Sequence, residues 1–221
     1  TGFNEAFILS EETKNILLSE DSNNSDIIKP MLRGRDIAKY RIDYSDRWLI
    51  FTRKGTDIDK YPSIKKHLNQ YYEQLRPRNN NELTGRKAGS YEWFEIQDNV
   101  AYFKDFEKEK IIWGEISDKA KFSFDDSGYY AEATLFVMTG EHLKYILPIL
   151  NSKLSEWYFA QISTTTGMGT NRWKKYKIEQ LPIKPISETE QAPFIEKVNQ
   201  ILAIKKEDSK SDTSELEAEI D

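Results

Sequence analysis

The chain has 221 residues, a formal net charge of −5 and no cysteine, which excludes disulfides and thiolate metal sites. Hydrophobic residues make up 38% and charged residues 31%, the balance of a globular protein with a core, and no apolar run approaches the length of a membrane span. The N-terminus lacks the basic-then-apolar profile of a signal peptide. We therefore expect a protein of a reducing cytosol.

The first half of the chain predicts helix, then strands, then helix. Ser10, followed by two glutamates, is typical of a helix N-cap. Residues 27–42 predict short strands broken at Gly34, and residues 47–52 predict a further strand. Residues 62–75 begin with proline and place apolar side chains at helical spacing, which predicts an amphipathic helix whose apolar stripe packs in the core.

The middle of the chain predicts an antiparallel sheet. Residues 110–115, 121–124 and 129–138 are rich in aromatic and β-branched residues. Residues 125–128 (DDSG) have the composition of a hairpin turn that joins the last two strands.

The last third predicts helices around one basic segment. Residues 142–162 predict two helices with a break at Pro148. Residues 163–185 read as a loop of small residues, a basic cluster, a short strand and the LPIKP exit, and residues 188–206 predict a final amphipathic helix.

These elements together predict an α/β (α+β) fold. We expect a twisted, mainly antiparallel or mixed sheet with flanking helices and a C-terminal helical segment. We expect residues 1–186 to form one domain, and residues 187–221 to be a C-terminal helix and a truncated polar tail.

Charge is distributed unevenly along the chain. Residues 1–28 carry one cation and six anions, residues 29–121 carry twenty and fifteen, and residues 122–221 carry eleven and sixteen. A basic block between acidic flanks is typical of a protein with one face on phosphates. The alternative is a sheet whose solvent-facing side happens to carry cations.

Most enzyme signatures are absent from the sequence. It contains no Walker motif, no dinucleotide-binding glycine motif, no HExxH and no cysteine nucleophile. His67 and His142 lie where a metal site is not expected. Asp98 with Glu115 is the one carboxylate pair suggestive of a nuclease, but the lysine that follows has the wrong spacing, so we expect no cleavage.

Three basic segments are candidate DNA-binding surfaces. Arginine and lysine contact phosphates or guanine edges, and asparagine contacts adenine. A solvated loop explains residues 76–90 equally well, and Trp173 also suits a core position. The candidate residues are Arg33, Arg35, Lys39, Arg41, Arg53, Lys54, Arg76, Arg78, Asn80, Arg86, Lys87, Thr165, Arg172, Trp173, Lys174 and Lys175.

The order of several motifs resembles a known family. LRGRDI (residues 32–37), KIIWGEIS (110–117) and LPIKP (181–185), each in its place along the chain, resemble the TaqI-like C-terminal specificity domain of type II restriction–modification enzymes and adenine-specific DNA methyltransferases. The resemblance covers about residues 3–207. None of these motifs is catalytic, so the resemblance rests on their order.

The resemblance implies a role and partners. Such domains are α/β modules that lie across double-stranded DNA from an upstream methyltransferase domain of the same polypeptide, often with an attached nuclease. The NPPY-type and cofactor-binding motifs of that domain are not in these residues. We therefore expect a fragment without catalysis or cofactor of its own, with S-adenosylmethionine upstream, Mg²⁺ only if a nuclease is attached, and a cytoplasmic, prokaryotic location.

Two functions stay open at this point. The first is sequence-specific DNA recognition, in which residues 27–54 anchor phosphates while residues 76–90 and 163–175 read bases. The second is a protein-interaction or scaffold domain, in which the basic stretch docks an acidic partner subunit or domain. The sequence does not indicate the DNA site or the oligomeric state.

Overall fold

The computed structural model describes residues 1–79, 82–165 and 169–221. In these ranges the helices are α1 (Asn4–Phe7), α2 (Glu11–Glu20), α3 (Pro62–Asn69), α4 (Tyr72–Leu75), α5 (Leu143–Asn151), α6 (Lys153–Ile162), α7 (Lys175–Ile178), α8 (Glu188–Glu207) and α9 (Ser214–Ile220). The strands are β1 (Ile8–Ser10), β2 (Ile28–Leu32), β3 (Ile37–Ala38), β4 (Arg41–Ile42), β5 (Arg47–Ile50), β6 (Lys110–Gly114), β7 (Ile116–Ser117), β8 (Phe122–Asp125), β9 (Tyr130–Ala131), β10 (Leu135–Met138) and β11 (Asn171–Arg172). The 3₁₀ turns are Ser22–Asp26, Gly34–Asp36, Ile58–Lys60 and Phe103–Glu107.

The chain folds into two compact units, each built from two stretches of sequence. The first unit contains Thr1–Met31 and Asp46–Phe103, and the second contains Leu32–Ser45 and Lys104–Asp221. In the first unit β5 lies between β1 and β2 and is antiparallel to both. The hydroxyl of Ser10 accepts the Thr13 N–H at the start of α2, which confirms the predicted cap.

The predicted helix over residues 62–75 forms in two pieces. It begins at Pro62 as expected, but the backbone tightens after α3, where the N–H of Tyr71 donates to the carbonyl of Leu68, three residues back, at 3.0 Å. This 3₁₀-type bond ends α3 before α4 begins. Ile64, Leu68 and Leu75 are fully buried, so these three residues of the apolar stripe pack in the core as predicted, whereas Tyr72 of the same stripe is exposed.

The second unit is organised on a three-stranded antiparallel sheet. Strand β6 is central, and it pairs with β10 on one side and with β8 on the other. The predicted hairpin between β8 and the strand that ends at Met138 is therefore wrong, because both strands pair with β6 instead.

A buried ion pair explains why the chain turns away after β8. Asp125 Oδ2 lies 2.5 Å from Lys110 Nζ, and both side chains are fully buried. The same carboxylate accepts the backbone N–H groups of Ser127 and Tyr129, which fixes the turn. A buried charge requires such compensation, so the turn is shaped around Lys110 rather than as a two-strand hairpin.

The predicted helix break lies four residues from its expected position. Helix α5 continues through Pro148, although a proline inside a helix loses one backbone hydrogen bond. The helix continues because Leu147 and Leu150, on either side of the proline, are buried in the core. The chain breaks at Ser152, whose hydroxyl accepts the Ser155 N–H and caps α6. Asn151 fixes this corner by bonding to both backbone groups of Phe122.

The fold class is confirmed as mixed α/β with small antiparallel sheets and a C-terminal helix. Ser187 and Glu190 form a capping box at the start of α8, whose Val198 and Ile201 enter the core of the second unit. The short strand expected after the basic cluster is instead one helical turn, α7. The division at residue 186 stays a prediction.

Candidate nucleic-acid interface

Arg86 is buried inside the first unit rather than exposed on the 76–90 loop. Only 3% of the residue is exposed. Its guanidinium donates hydrogen bonds to five backbone carbonyls. Burial lowers the pKa of this guanidinium. With its donors used internally, Arg86 is not on a DNA-accessible surface, and we correct its predicted role to that of an internal brace.

Arg76 closes the start of the same loop through carboxylates. Its guanidinium bonds to Glu73 at 2.9 Å and to Glu82 at 2.8 Å. The hydrogen bonds to Glu82 and Glu73 raise the pKa of Arg76, and the bond from Arg76 lowers the pKa of Glu82. Arg76 is therefore engaged within the protein, whereas the sequence alone placed it among the DNA contacts.

Two other cations of the loop are exposed. The N–H of Arg78 donates to the carbonyl of Arg86 at 2.9 Å, so the buried brace fixes the backbone beside both Arg78 and Lys87. The side chains of Arg78 and Lys87 lie at the surface. Asn80 lies outside the described residues.

The turn after β5 presents two further cations on the first unit. Arg53 is exposed and lies 4.5 Å above the ring of Phe103, and Lys54 is exposed with its amine 3.3 Å from the hydroxyl of Ser90. The carboxylate of Glu95, itself buried, accepts the N–H of Gly55 at 2.6 Å and tethers the turn. Both cations are thus held on a fixed backbone.

In the second unit, most of the cations between residues 33 and 41 are engaged. Arg33 bonds to Asp36 and Ser45, and closes the 3₁₀ turn before β3. Arg41 pairs with Asp43 at 2.7 Å, and Lys39 and Arg41 also contact the C-terminal part of the second unit, as described below. Arg35 is exposed and forms no ion pair with any residue that the structure describes. Arg35 therefore differs from Arg33, Lys39 and Arg41, which are engaged within the protein.

Arg35 lies on the wall of a groove in the second unit. Strand β7 pairs with β11, which brings residues 115–117 beside residues 171–174. The groove is lined by Gly34, Arg35, Ile37, Gly114, Glu115, Ile116, Ser117, Lys121 and Thr134. Lys121 was not among the predicted residues; it directly precedes β8, and its amine lies 2.7 Å from Asp118.

Glu115 connects this groove to the predicted basic cluster. Its N–H donates to Thr134 and its carbonyl accepts from Trp173, so the backbone is fixed on both sides. Its carboxylate lies 2.9 Å from Arg172 and 3.4 Å from Lys174, both of which are partly exposed. Glu115 is therefore a partner of cations, and the described residues contain no group of three ligating side chains suited to a metal ion.

Trp173 belongs to the core, and this corrects its predicted place on the DNA-binding surface. It is 2% exposed, and its ring stacks on that of Phe159 with centroids 3.9 Å apart. Its indole N–H donates to the carbonyl of Ser117. Because this ring is anchored, Arg172 and Lys174 on either side of it project from a rigid backbone.

The other two residues predicted in this segment are exposed. Lys175, at the start of α7, pairs with Glu179, which directly follows that helix, at 3.6 Å. Thr165 forms an isolated bridge with Asn171, the first residue of β11.

The structure thus defines a two-unit α/β protein with a basic groove beside a tryptophan-anchored segment. A family model of the TaqI-like C-terminal specificity domain matches residues 29–183. The chain belongs to this family.

A similar fold is found in a solved structure. It is that of the type IIL restriction–modification enzyme MmeI in complex with DNA, with a TM-score of 0.63 and 13% sequence identity. The match covers 95% of this chain and 27% of that one, so the chain spans about a quarter of the length of that enzyme. No curated protein matches the sequence. Within the described ranges, no helix has the length and apolar character needed to cross a membrane.

Proposed function

We propose that this chain binds double-stranded DNA sequence-specifically, as the target-recognition domain of a restriction–modification adenine-N6 DNA methyltransferase. The observation that carries the proposal is the groove of the second unit, whose wall carries Arg35 and Lys121. Arg172 and Lys174, both partly exposed, are linked to this groove through the carboxylate of Glu115. Membership of a specificity-domain family and the likeness to an enzyme solved with DNA support it.

The residues divide into two roles in this proposal. Arg172 keeps guanidinium donors beyond its bond to Glu115, so it suits a bidentate contact with a guanine edge. Arg35 and Lys121 suit phosphate oxygens, which fix the register of a protein on the duplex. In the first unit, Arg53, Lys54, Arg78 and Lys87 are exposed cations that suit the same contacts.

In this proposal, methyl transfer is carried out by another domain of the parent protein. We propose that an upstream domain of the same polypeptide binds S-adenosylmethionine and transfers the methyl group, and that Mg²⁺ is required only if a nuclease is attached. The fragment itself is proposed to be non-catalytic, and the parent to act in the cytoplasm of a prokaryote.

A titration of duplex DNA at two salt concentrations tests the proposal. We expect binding at low salt that weakens as salt rises, with a slope of about −0.9 per phosphate contacted. Arg35→Ala combined with Arg172→Ala is expected to lower affinity by roughly 1–3 kcal/mol for a preferred sequence. The matched control combines Lys66→Ala with Lys184→Ala, which removes two exposed cations outside the groove.

Two results would contradict the proposal. One is no binding to any duplex at low salt. The other is an equal loss of affinity in the groove variant and in the control, which would indicate only a nonspecific response to net charge.

A second function, docking of a partner subunit or domain, is favoured by one observation. Leu154 and Trp157 lie three residues apart on α6 and are 69% and 62% exposed. Neighbouring apolar side chains of this size are typical of interaction sites. If Leu154→Ser with Trp157→Ser abolished association with the parent's upstream region while DNA binding persisted, this surface would serve docking.

A further inference from the structure

The last fourteen residues, 208–221, form an acidic segment that lies against the rest of the second unit. This C-terminal segment carries six acidic residues and one lysine. It includes α9, which presents only two apolar side chains, Leu216 and Ile220, to the core of the unit. Thr213 is buried and bonds to Glu217, and the other acidic side chains of α9 remain largely exposed.

Each of three carboxylates in the segment meets a different lysine. Glu217 lies 2.6 Å from Lys39, and Asp221 lies 3.5 Å from Lys153. Glu219 pairs with Lys197.

Two backbone carbonyls of the segment accept from further cations. Arg41 donates to Ser209 at 2.5 Å, and Lys205 donates to Ser211 at 2.6 Å. One short stretch of chain therefore contacts five cations, which we call the covered basic surface: Lys39, Arg41, Lys153, Lys197 and Lys205. Lys153 is the least covered of them, since 86% of its side chain is exposed. Two of them, Lys39 and Arg41, belong to the stretch that the sequence indicated as a phosphate anchor.

These contacts are of a kind that another polyanion can replace. A helix as short as α9 is marginal on its own, so it depends on its contacts with the rest of the unit. Its ion pairs are partly exposed, with 35% of the Lys39 side chain accessible, and pairs of this type contribute little and are screened by salt. A DNA duplex offers a denser row of anions to the same cations.

We propose that the C-terminal segment is a displaceable acidic cover, and that the covered basic surface binds DNA phosphates once the segment is released. The inference rests on the proposed DNA-binding function and adds a second contact surface to it. The segment competes from within the same chain, which gives it a high effective concentration and lowers the apparent affinity for DNA.

Charge-matched variants of the full chain test this proposal. The interface variant combines Glu217→Gln, Glu219→Gln and Asp221→Asn, which removes three charges but keeps the oxygen acceptors. The control variant combines Glu109→Gln, Glu196→Gln and Glu207→Gln, three exposed carboxylates outside the C-terminal segment and outside these ion pairs. Both variants change the net charge equally, so the comparison isolates the cover from the general charge.

The probe is a 30-base-pair duplex of random sequence, titrated at low and moderate salt. We expect the interface variant to bind about 5-fold more tightly than the wild type at low salt, with a salt slope steeper by about 1–2. The control variant should change affinity less than about 2-fold. Adding Lys39→Ala to the interface variant should remove most of the gain, whereas Lys39→Ala alone should have little effect because Glu217 already occupies that lysine.

Hydrogen exchange gives an independent readout. In the wild type, addition of the duplex should increase amide exchange in α9, because the segment is displaced. Equal affinity of the interface and control variants, with unchanged exchange in α9, would overturn the cover while leaving DNA binding in place. If neither the wild type nor any variant binds the duplex, the proposed function falls and the cover falls with it.

Discussion

The 76–90 loop of the first unit and the 163–175 segment of the second were both predicted to read DNA, and they are built in opposite ways. The loop is braced by a cation, Arg86, whose guanidinium satisfies backbone carbonyls in the interior. The segment is anchored by an aromatic residue, Trp173, stacked in the core. In both regions, the residue that looked most suited to contact DNA, Arg86 or Trp173, is buried and holds the backbone in place. The cations next to it in sequence are the ones that reach the surface.

The loop and the segment use different anchors because different interactions are missing around each of them. Five backbone carbonyls outside the loop, those of Thr1, Leu75, Glu92, Trp93 and Glu95, need donors, and the buried Arg86 supplies them. The segment already has pairing through β11, so it requires apolar area rather than donors to fix it. The burial and the partners of a basic or aromatic residue therefore have to be known before the residue is given a role in ligand binding.

The largest expected effect is the loss of the aromatic anchor. Trp173→Ala removes a buried indole and leaves a cavity against Phe159, so we expect the free energy of unfolding to fall by about 3–5 kcal/mol in urea titrations. Trp157→Ala, at an exposed position, should change it by less than about 0.5 kcal/mol. Similar losses in both variants would show that the anchor is not specific to the 163–175 segment.

Removal of the loop brace should have the next largest effect. Arg86→Ala leaves several buried carbonyls without donors, and we expect a loss of roughly 2–4 kcal/mol in the free energy of unfolding. Arg78→Ala is the matched control, because it removes an exposed guanidinium from the same loop, and it should leave stability nearly unchanged. A stability loss for Arg78→Ala as large as that for Arg86→Ala would remove the distinction between brace and surface.

The smallest expected effect concerns pH and the ion pair at the start of the loop. Because Arg76 lowers the pKa of Glu82 below its ordinary value of 4.5, the folded state binds that proton less tightly than the unfolded state. The stabilisation is present above pH 4.5 and is lost as pH falls through the lowered pKa of the folded state.

The test compares urea midpoints at neutral and acidic pH. Glu82→Gln should lower stability slightly at neutral pH and flatten the loss on acidification. Glu109→Gln, at an exposed position, serves as the control. An acid response of Glu82→Gln identical to that of the wild type would mean that this pair does not stabilise the loop.

The sequence by itself determined the elements whose signals are local. The cap at Ser10, the helix start at Pro62 and the strand β6 depend on residues close in the chain, and each forms as expected. The family resemblance likewise depended on motif order, and the family model confirms it.

Only the tertiary structure decided which cations are accessible. The ion pairs of Lys39 with Glu217 and of Glu115 with Arg172 join residues that are 178 and 57 positions apart. The burial of Arg86 depends on backbone carbonyls that only folding brings together. No periodicity in the chain encodes such pairs, because an ion pair depends on distance in space rather than on separation in sequence. The same reason explains why the hairpin after β8 was wrong: the partner of Asp125 is Lys110, on the neighbouring strand β6.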